Sequence, residues 1–141
     1  MRAFLDTSVL LAVFYAAHEH HARSLDLFLR FGKDETCCGA QSLADVYSVL
    51  TARGGKDRVS GDEALLFLRD VRENASIVNL KPGEYFRCVE QAGAWGLVGS
   101  AVVDCVLAHC ALKADAESIY TWNMKRYERF GEDVVARVKT P

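Results

Sequence analysis

Short apolar runs alternate with helix-patterned segments along the whole chain, and this alternation constrains the fold more than any other feature. Ala3-Phe4-Leu5, Thr36-Cys37-Cys38-Gly39, Ala75 to Leu80, Ser118 to Trp122 and Val134 to Val138 read as strands. Between them lie predicted helices. Val9 to Tyr15 is apolar all round, which implies burial. Residues 21–31 are amphipathic, with Leu25, Phe28 and Leu29 on one face. Ser42 to Arg53 carries Leu43, Val46, Tyr47 and Leu50 at helical spacing. Ser60 and Glu63 form a capping box for the next helix, Lys81-Pro82-Gly83 opens another, and Ser100 to Lys113 is almost wholly apolar. Asn123 to Phe130 reads as a short helical turn. Strands joined by helices imply a parallel sheet covered on both faces, an α/β fold. The 141 residues show no linker or repeat and make one domain, 1–141.

Charge and cysteine usage narrow the function. Lys and Arg number 17 against 19 Asp and Glu, a net charge of −2, which excludes a polycation but leaves room for a local basic rim. The five cysteines are odd in number, form no CxxC pair and sit in apolar runs, as in Val103-Asp104-Cys105-Val106. Reduced, buried thiols in a cytoplasmic protein are expected. The N-terminus lacks a small-residue cleavage site. No uncharged apolar stretch reaches the roughly 18 residues of a membrane span.

Three acids stand in apolar company. Asp6 ends the first predicted strand, where parallel α/β sheets place their chemistry, and it is equally suited to cap the first helix. Asp104 and His109 are the strongly polar residues between Ala101 and Leu112. An ionised carboxylate in so apolar a helix is costly unless paired or metal-bound. Asp45 lies three residues after Ser42, so a capping box explains it as well as a site does. Strand ends and first helical turns gather at one edge of such a sheet. Three neighbouring carboxylates there repel and raise one another's pKa, and a hard cation such as Mg2+ or Mn2+ removes that cost. Acidic clusters with oxygen ligands point to phosphoryl chemistry.

The order of the motifs resembles a known family. Phe4-Leu5-Asp6-Thr7-Ser8-Val9-Leu10-Leu11 is similar to the opening of PIN-domain ribonucleases, and Gln41-Ser42-Leu43-Ala44-Asp45-Val46-Tyr47 to their second acidic motif, where Glu is commoner. Gly99-Ser100-Ala101-Val102-Val103-Asp104-Cys105 resembles the third motif and Tyr120-Thr121-Trp122-Asn123-Met124-Lys125-Arg126-Tyr127 the closing one. The likeness spans nearly the whole chain and is closest to VapC-type toxins of toxin–antitoxin pairs. It implies a five-stranded parallel sheet in the order 3-2-1-4-5 and a Mg2+- or Mn2+-dependent endoribonuclease with Asp6, Asp45 and Asp104 in the acidic positions. Many relatives carry a fourth acid where this chain has Asn123, a weaker neutral metal ligand. Thr7, Ser8 and Thr121 are hydroxyl partners for the acids. The resemblance also implies an RNA substrate, a homodimer and a small VapB-like antitoxin lying across apolar helices, for which Val9 to Tyr15 and the Leu43, Tyr47, Leu50 stripe are the candidates.

Lys125, Arg126 and Arg129 follow the closing motif and are candidate phosphate contacts. His18, His20 and His21 do not fit HExxH and read as a solvated hinge. Trp95 and Trp122 read as core or interface residues. A haloacid-dehalogenase-type phosphatase needs a second Asp where Ser8 stands, and a receiver domain has paired acids where Asp6-Thr7 stand. The remaining alternatives are a PIN-type RNA-processing nuclease without an antitoxin and a PIN-like binding module whose site has decayed.

Overall fold

Five short strands and seven helices are organised around one central strand. The computed structural model describes residues 1–141. Strand β1 (Ala3–Leu5) leads into α1 (Thr7–Phe14) and α2 (His21–Arg30); β2 (Thr36–Gly39) leads into α3 (Ala40–Ala52) and α4 (Gly61–Asn74). Then come β3 (Ser76–Val78), α5 (Pro82–Ala94), α6 (Ala101–Lys113), β4 (Ser118–Tyr120), a 3-10 turn (Met124–Tyr127), α7 (Glu132–Val135) and β5 (Val138–Lys139). All pairings are parallel and the sheet order is β3-β2-β1-β4-β5, as the resemblance implies. Phe4 aligns with Cys37 on one side and Ile119 on the other, so β1 is central.

The pleat divides the core into two. Successive strand side chains point to opposite faces. Phe4 and Cys37 go to one face, under α5 and α6, with Leu107, Ala111, Tyr127 and Phe130. Ala3, Leu5 and Cys38 go to the other, with Val9, Leu10, Leu27, Val46, Leu50 and Val71 from α1 to α4. On the first face α6 approaches β2 closely at Gly39, where a Cβ would lie 2.6 Å from Leu107 Cδ2. The two tryptophans pack against these cores, as expected: Trp95 on the first and Trp122 on the second. All five cysteines are free and buried.

Four sequence expectations need correction. The run 134–138 is not a strand: Gly131, at φ +90°, turns the chain into α7, and Val134 is buried with Tyr127 and Phe130. Only Val138–Lys139 joins the sheet, because a short apolar run serves a helical plug as well as a strand. Helix α2 buries Ser24, Leu27 and Phe28, one position out of phase with the expected Leu25, Phe28 and Leu29 face; Leu29 is 64% exposed. Helix α3 starts at Ala40 with Gly39 as its N-cap, so Ser42 and Asp45 form no capping box. Helix α1 buries Val9, Leu10, Ala12 and Val13, while Leu11 and Phe14 stay partly exposed.

The His18–His21 segment is tied down more than a solvated hinge: His21 Nδ1 lies 2.9 Å from the Ala12 carbonyl, and the His20 ring stacks on Trp122 at 3.7 Å. No helix is long and apolar enough to cross a membrane. Gly39→Ala is expected to overpack the contact with Leu107 and cost about 1–3 kcal/mol. The check is a lower urea midpoint at unchanged slope.

Candidate active site

Asp6 is built into the fold before it can be built into a site. It follows β1, caps α1 and is 4% exposed. Burying a carboxylate demands compensating donors, and four reach it. Ser8 Oγ (2.7 Å), Ser8 N (3.3 Å) and Thr121 Oγ1 (2.9 Å) donate to Oδ2; the Tyr127 hydroxyl donates to Oδ1 at 2.7 Å. Those donors are themselves oriented. Thr121 Oγ1 accepts from Asn123 N at 3.0 Å, and Ser8 Oγ accepts from Trp122 N at 3.0 Å. Asp6 thus caps α1 and lines the cleft in one arrangement. Ser8 and Thr121 act on Asp6 as expected of supporting hydroxyls, whereas Thr7 Oγ1 donates to Ser42 Oγ at 2.9 Å and ties α1 to α3.

Asp104 sits in the first turn of α6, its side chain 14% exposed. Burial is the largest influence on it and pushes its carboxyl up to about 6; Asp6 and Asp45 push the same way, against the pull of Arg126. Arg126 Nε lies 2.6 Å from Oδ2, but no N–H is aimed at that oxygen, so the contact is an ion pair without a directed hydrogen bond. The same guanidinium donates to Ser100 Oγ at 2.7 Å. Asp45, on α3, accepts from Gln41 Nε2 at 3.1 Å. The partner it has is thus one helical turn back, not the Ser42 of a capping box.

The three acids line one cleft of about 360 Å3, together with Thr7, Ser8, Ser100, Asn123 and Arg126. No Cys or His lines it. The acids come from the end of β1, from α3 and from α6, and their oxygens do not all lie within 4.8 Å of one another. Asn123 is at the exposed rim. Of the three candidate basic residues, Arg126 is engaged with Asp104 and Ser100, and Arg129 donates to the Trp95 carbonyl, while Lys125 makes no ion pair.

Tyr127 was missed. It is 1% exposed, and burial together with Asp6 holds its hydroxyl protonated, well above the ordinary range. Its place at the end of the closing motif is the only hint the sequence offers, and its target cannot be read without the 3-10 turn that aims it.

Asp104 generates a pH prediction. Its native pKa lies above the ordinary carboxylate value, so between about pH 4 and 6 the native state holds more protons than the unfolded chain. Stability of the metal-free protein is expected to fall as pH rises through that window, by at most about 3 kcal/mol. Asp104→Asn should flatten the decline in melting temperature.

No curated sequence matches the chain significantly. Among solved structures, it is similar to the Mycobacterium tuberculosis VapC20, a Sarcin-Ricin loop cleaving toxin. The TM-score is 0.71 at 14% identity, covering 88% of this chain and 92% of that one. It is also similar to a chain of Rickettsia felis VapBC2 bound to a promoter DNA fragment, with a TM-score of 0.67 at 14% identity over 99% and 98% of the two chains. The PIN domain model matches residues 3–130, from strand β1 to just past the closing motif. Motif order, sheet order and acidic cleft agree with that match, and the chain belongs to the PIN-domain family.

Proposed function

We propose that this protein is a Mg2+- or Mn2+-dependent endoribonuclease and the toxin of a toxin–antitoxin pair, working in the cytoplasm. The observation that carries the reading is the meeting of Asp6, Asp45 and Asp104 in one cleft, with Asp104 Oδ2 buried and lacking a directed donor. The donor set fits a hard cation, since it is all oxygen. Asp6, Asp45 and Asp104 are the residues that would hold the ion, with the Asn123 amide as a neutral addition. When bound, the ion supplies positive charge and Lewis acidity beside a phosphodiester.

The chain's own groups do the positioning. Ser8, Thr121 and Tyr127 hold Asp6 in one orientation, so its remaining acceptor capacity is on Oδ1, which has a single donor. Arg126 neutralises Asp104 in the free protein and stands at the rim, where a guanidinium can pair with a phosphate oxygen. The antitoxin reading draws support from a surface that includes the C-terminal end of the expected Val9–Tyr15 run. A groove of about 470 Å3 between α1, α2 and α4 is lined by Phe14, Leu25, Leu29, Leu66 and Phe67, and fits the apolar face of a partner segment. The VapBC2 neighbour is a two-component assembly, which agrees with such a partner. A second copy of the chain is the proposed occupant of the exposed face of α5, where Phe86 is 67% and Val89 46% exposed.

Asp6→Asn, Asp45→Asn and Asp104→Asn are each expected to slow RNA cleavage about 10²-fold or more with Mg2+ present, while the fold survives. Induced expression with mapping of new RNA 5′ ends, wild type beside Asp104→Asn, is the test. Equal cleavage by the two would overturn the reading. Lys125→Ala should reduce the salt slope of RNA binding by about 0.7, the share of one phosphate contact. Arg129→Ala should leave it unchanged, because that side chain is spent on Trp95.

A further inference from the structure

A second cluster of chemically active side chains lies away from the acidic cleft. Cys88 comes from α5; Cys105 and His109 are one turn apart on the same face of α6. Both thiols are fully buried, and His109 is partly exposed. The Cys88 and Cys105 sulfurs are 3.7 Å apart, and His109 Nδ1 is 3.4 Å from Cys88 Sγ and 3.7 Å from Cys105 Sγ. This is the one group of three such ligand atoms in the chain lying within 4.8 Å of one another.

These distances have a specific meaning. Zinc bonds of about 2.3 Å to sulfur and about 2.0–2.1 Å to nitrogen, at tetrahedral angles, place two thiolates about 3.8 Å apart and a thiolate about 3.6 Å from a ring nitrogen. The three observed separations match three edges of that tetrahedron. We propose that Cys88, Cys105 and His109 form a binding site for a zinc-type cation, with a fourth position open to water on the His109 side. Thiolate and imidazole ligands suit zinc and not the Mg2+ or Mn2+ of the oxygen-lined cleft, so the two sites select different ions.

The site answers a structural need. Helix α5 buries only Cys88 and Ala92, two small side chains, and so has little apolar hold on the domain. A cation would staple α5 to α6 at Cys88. Because Cys105 directly follows Asp104, the staple would also fix the turn that presents Asp104 to the cleft. Without the ion, burial holds both thiols protonated, Cys105 up to about 12, and His109 Nδ1 lies 2.8 Å from the Cys105 carbonyl. Binding releases the two thiol protons and moves the imidazole proton to Nε2.

The test uses the reduced full-length chain and Co2+ as a spectroscopic substitute for Zn2+. One equivalent of Co2+ should give thiolate-to-cobalt charge-transfer absorption in the near ultraviolet and tetrahedral bands in the visible, and Zn2+ should displace it. Cys88→Ser and Cys105→Ser should each weaken the charge-transfer band, the double substitution should abolish it, and His109→Ala should weaken Zn2+ binding by at least about tenfold. Asp6→Asn should leave the band intact. X-ray absorption of the wild-type zinc complex, which does not depend on any variant folding, should show two sulfur ligands. No charge-transfer band at saturating Co2+, a band undiminished in Cys88→Ser or surviving the double substitution, or a zinc shell of nitrogen and oxygen alone would overturn the proposal.

Discussion

The hydrogen bonds converging on the Asp6 carboxylate hold the site together. Ser8 belongs to α1, Thr121 to the residue beyond β4, and Tyr127 to the 3-10 turn that follows. One buried charge therefore joins three segments that the sheet alone leaves free to splay. Each donor is indispensable in the sense that a buried carboxylate missing a partner carries an uncompensated desolvation cost. The strands are two to four residues long, so backbone pairing contributes little at this edge. The polar network sets where the cleft is, and the sheet order sets which acids reach it.

The other two acids are deployed differently. Asp6 accepts from four neutral donors, Asp45 from a single amide, and Asp104 has a cation beside it and no directed donor. This gradient follows from where each residue sits. A strand end surrounded by hydroxyls can hydrogen-bond a carboxylate fully, whereas the apolar first turn of α6 offers none. Asp104 is accordingly the acid most responsive to any positive charge that enters the cleft, and Arg126 is the charge already there.

The α/β fold was legible in the sequence because it depends on local pattern, and Asp104 stood out for the same reason, whereas the strand order and Asp45 rested on the family resemblance. Continuous apolar runs separated by helices specify a parallel sheet, and an Asp in an apolar helix is conspicuous whatever surrounds it. What could not be read depends on geometry between elements. Tyr127 meets Asp6 across 121 positions, and Ser42 meets Thr7 across 35. The phase of α2 slipped by one position because Leu25, Leu27, Phe28 and Leu29 support two overlapping apolar faces, and only the neighbours decide between them. Val134 to Val138 misled for the same reason: five residues are too few to separate a strand from a helical plug.

The narrowness of the sheet has its own consequence for how this molecule meets others. Its edge strands, β3 and β5, are three and two residues long, and offer almost no unpaired backbone for an incoming chain to continue. Association by strand addition, the route that open parallel sheets otherwise invite, is closed at both margins. A partner must be read through side chains on helical surfaces. Recognition then depends on the fit of knobs such as Leu29, Leu66 and Phe86 rather than on generic main-chain pairing, and two such proteins in one cell can share a fold without sharing partners.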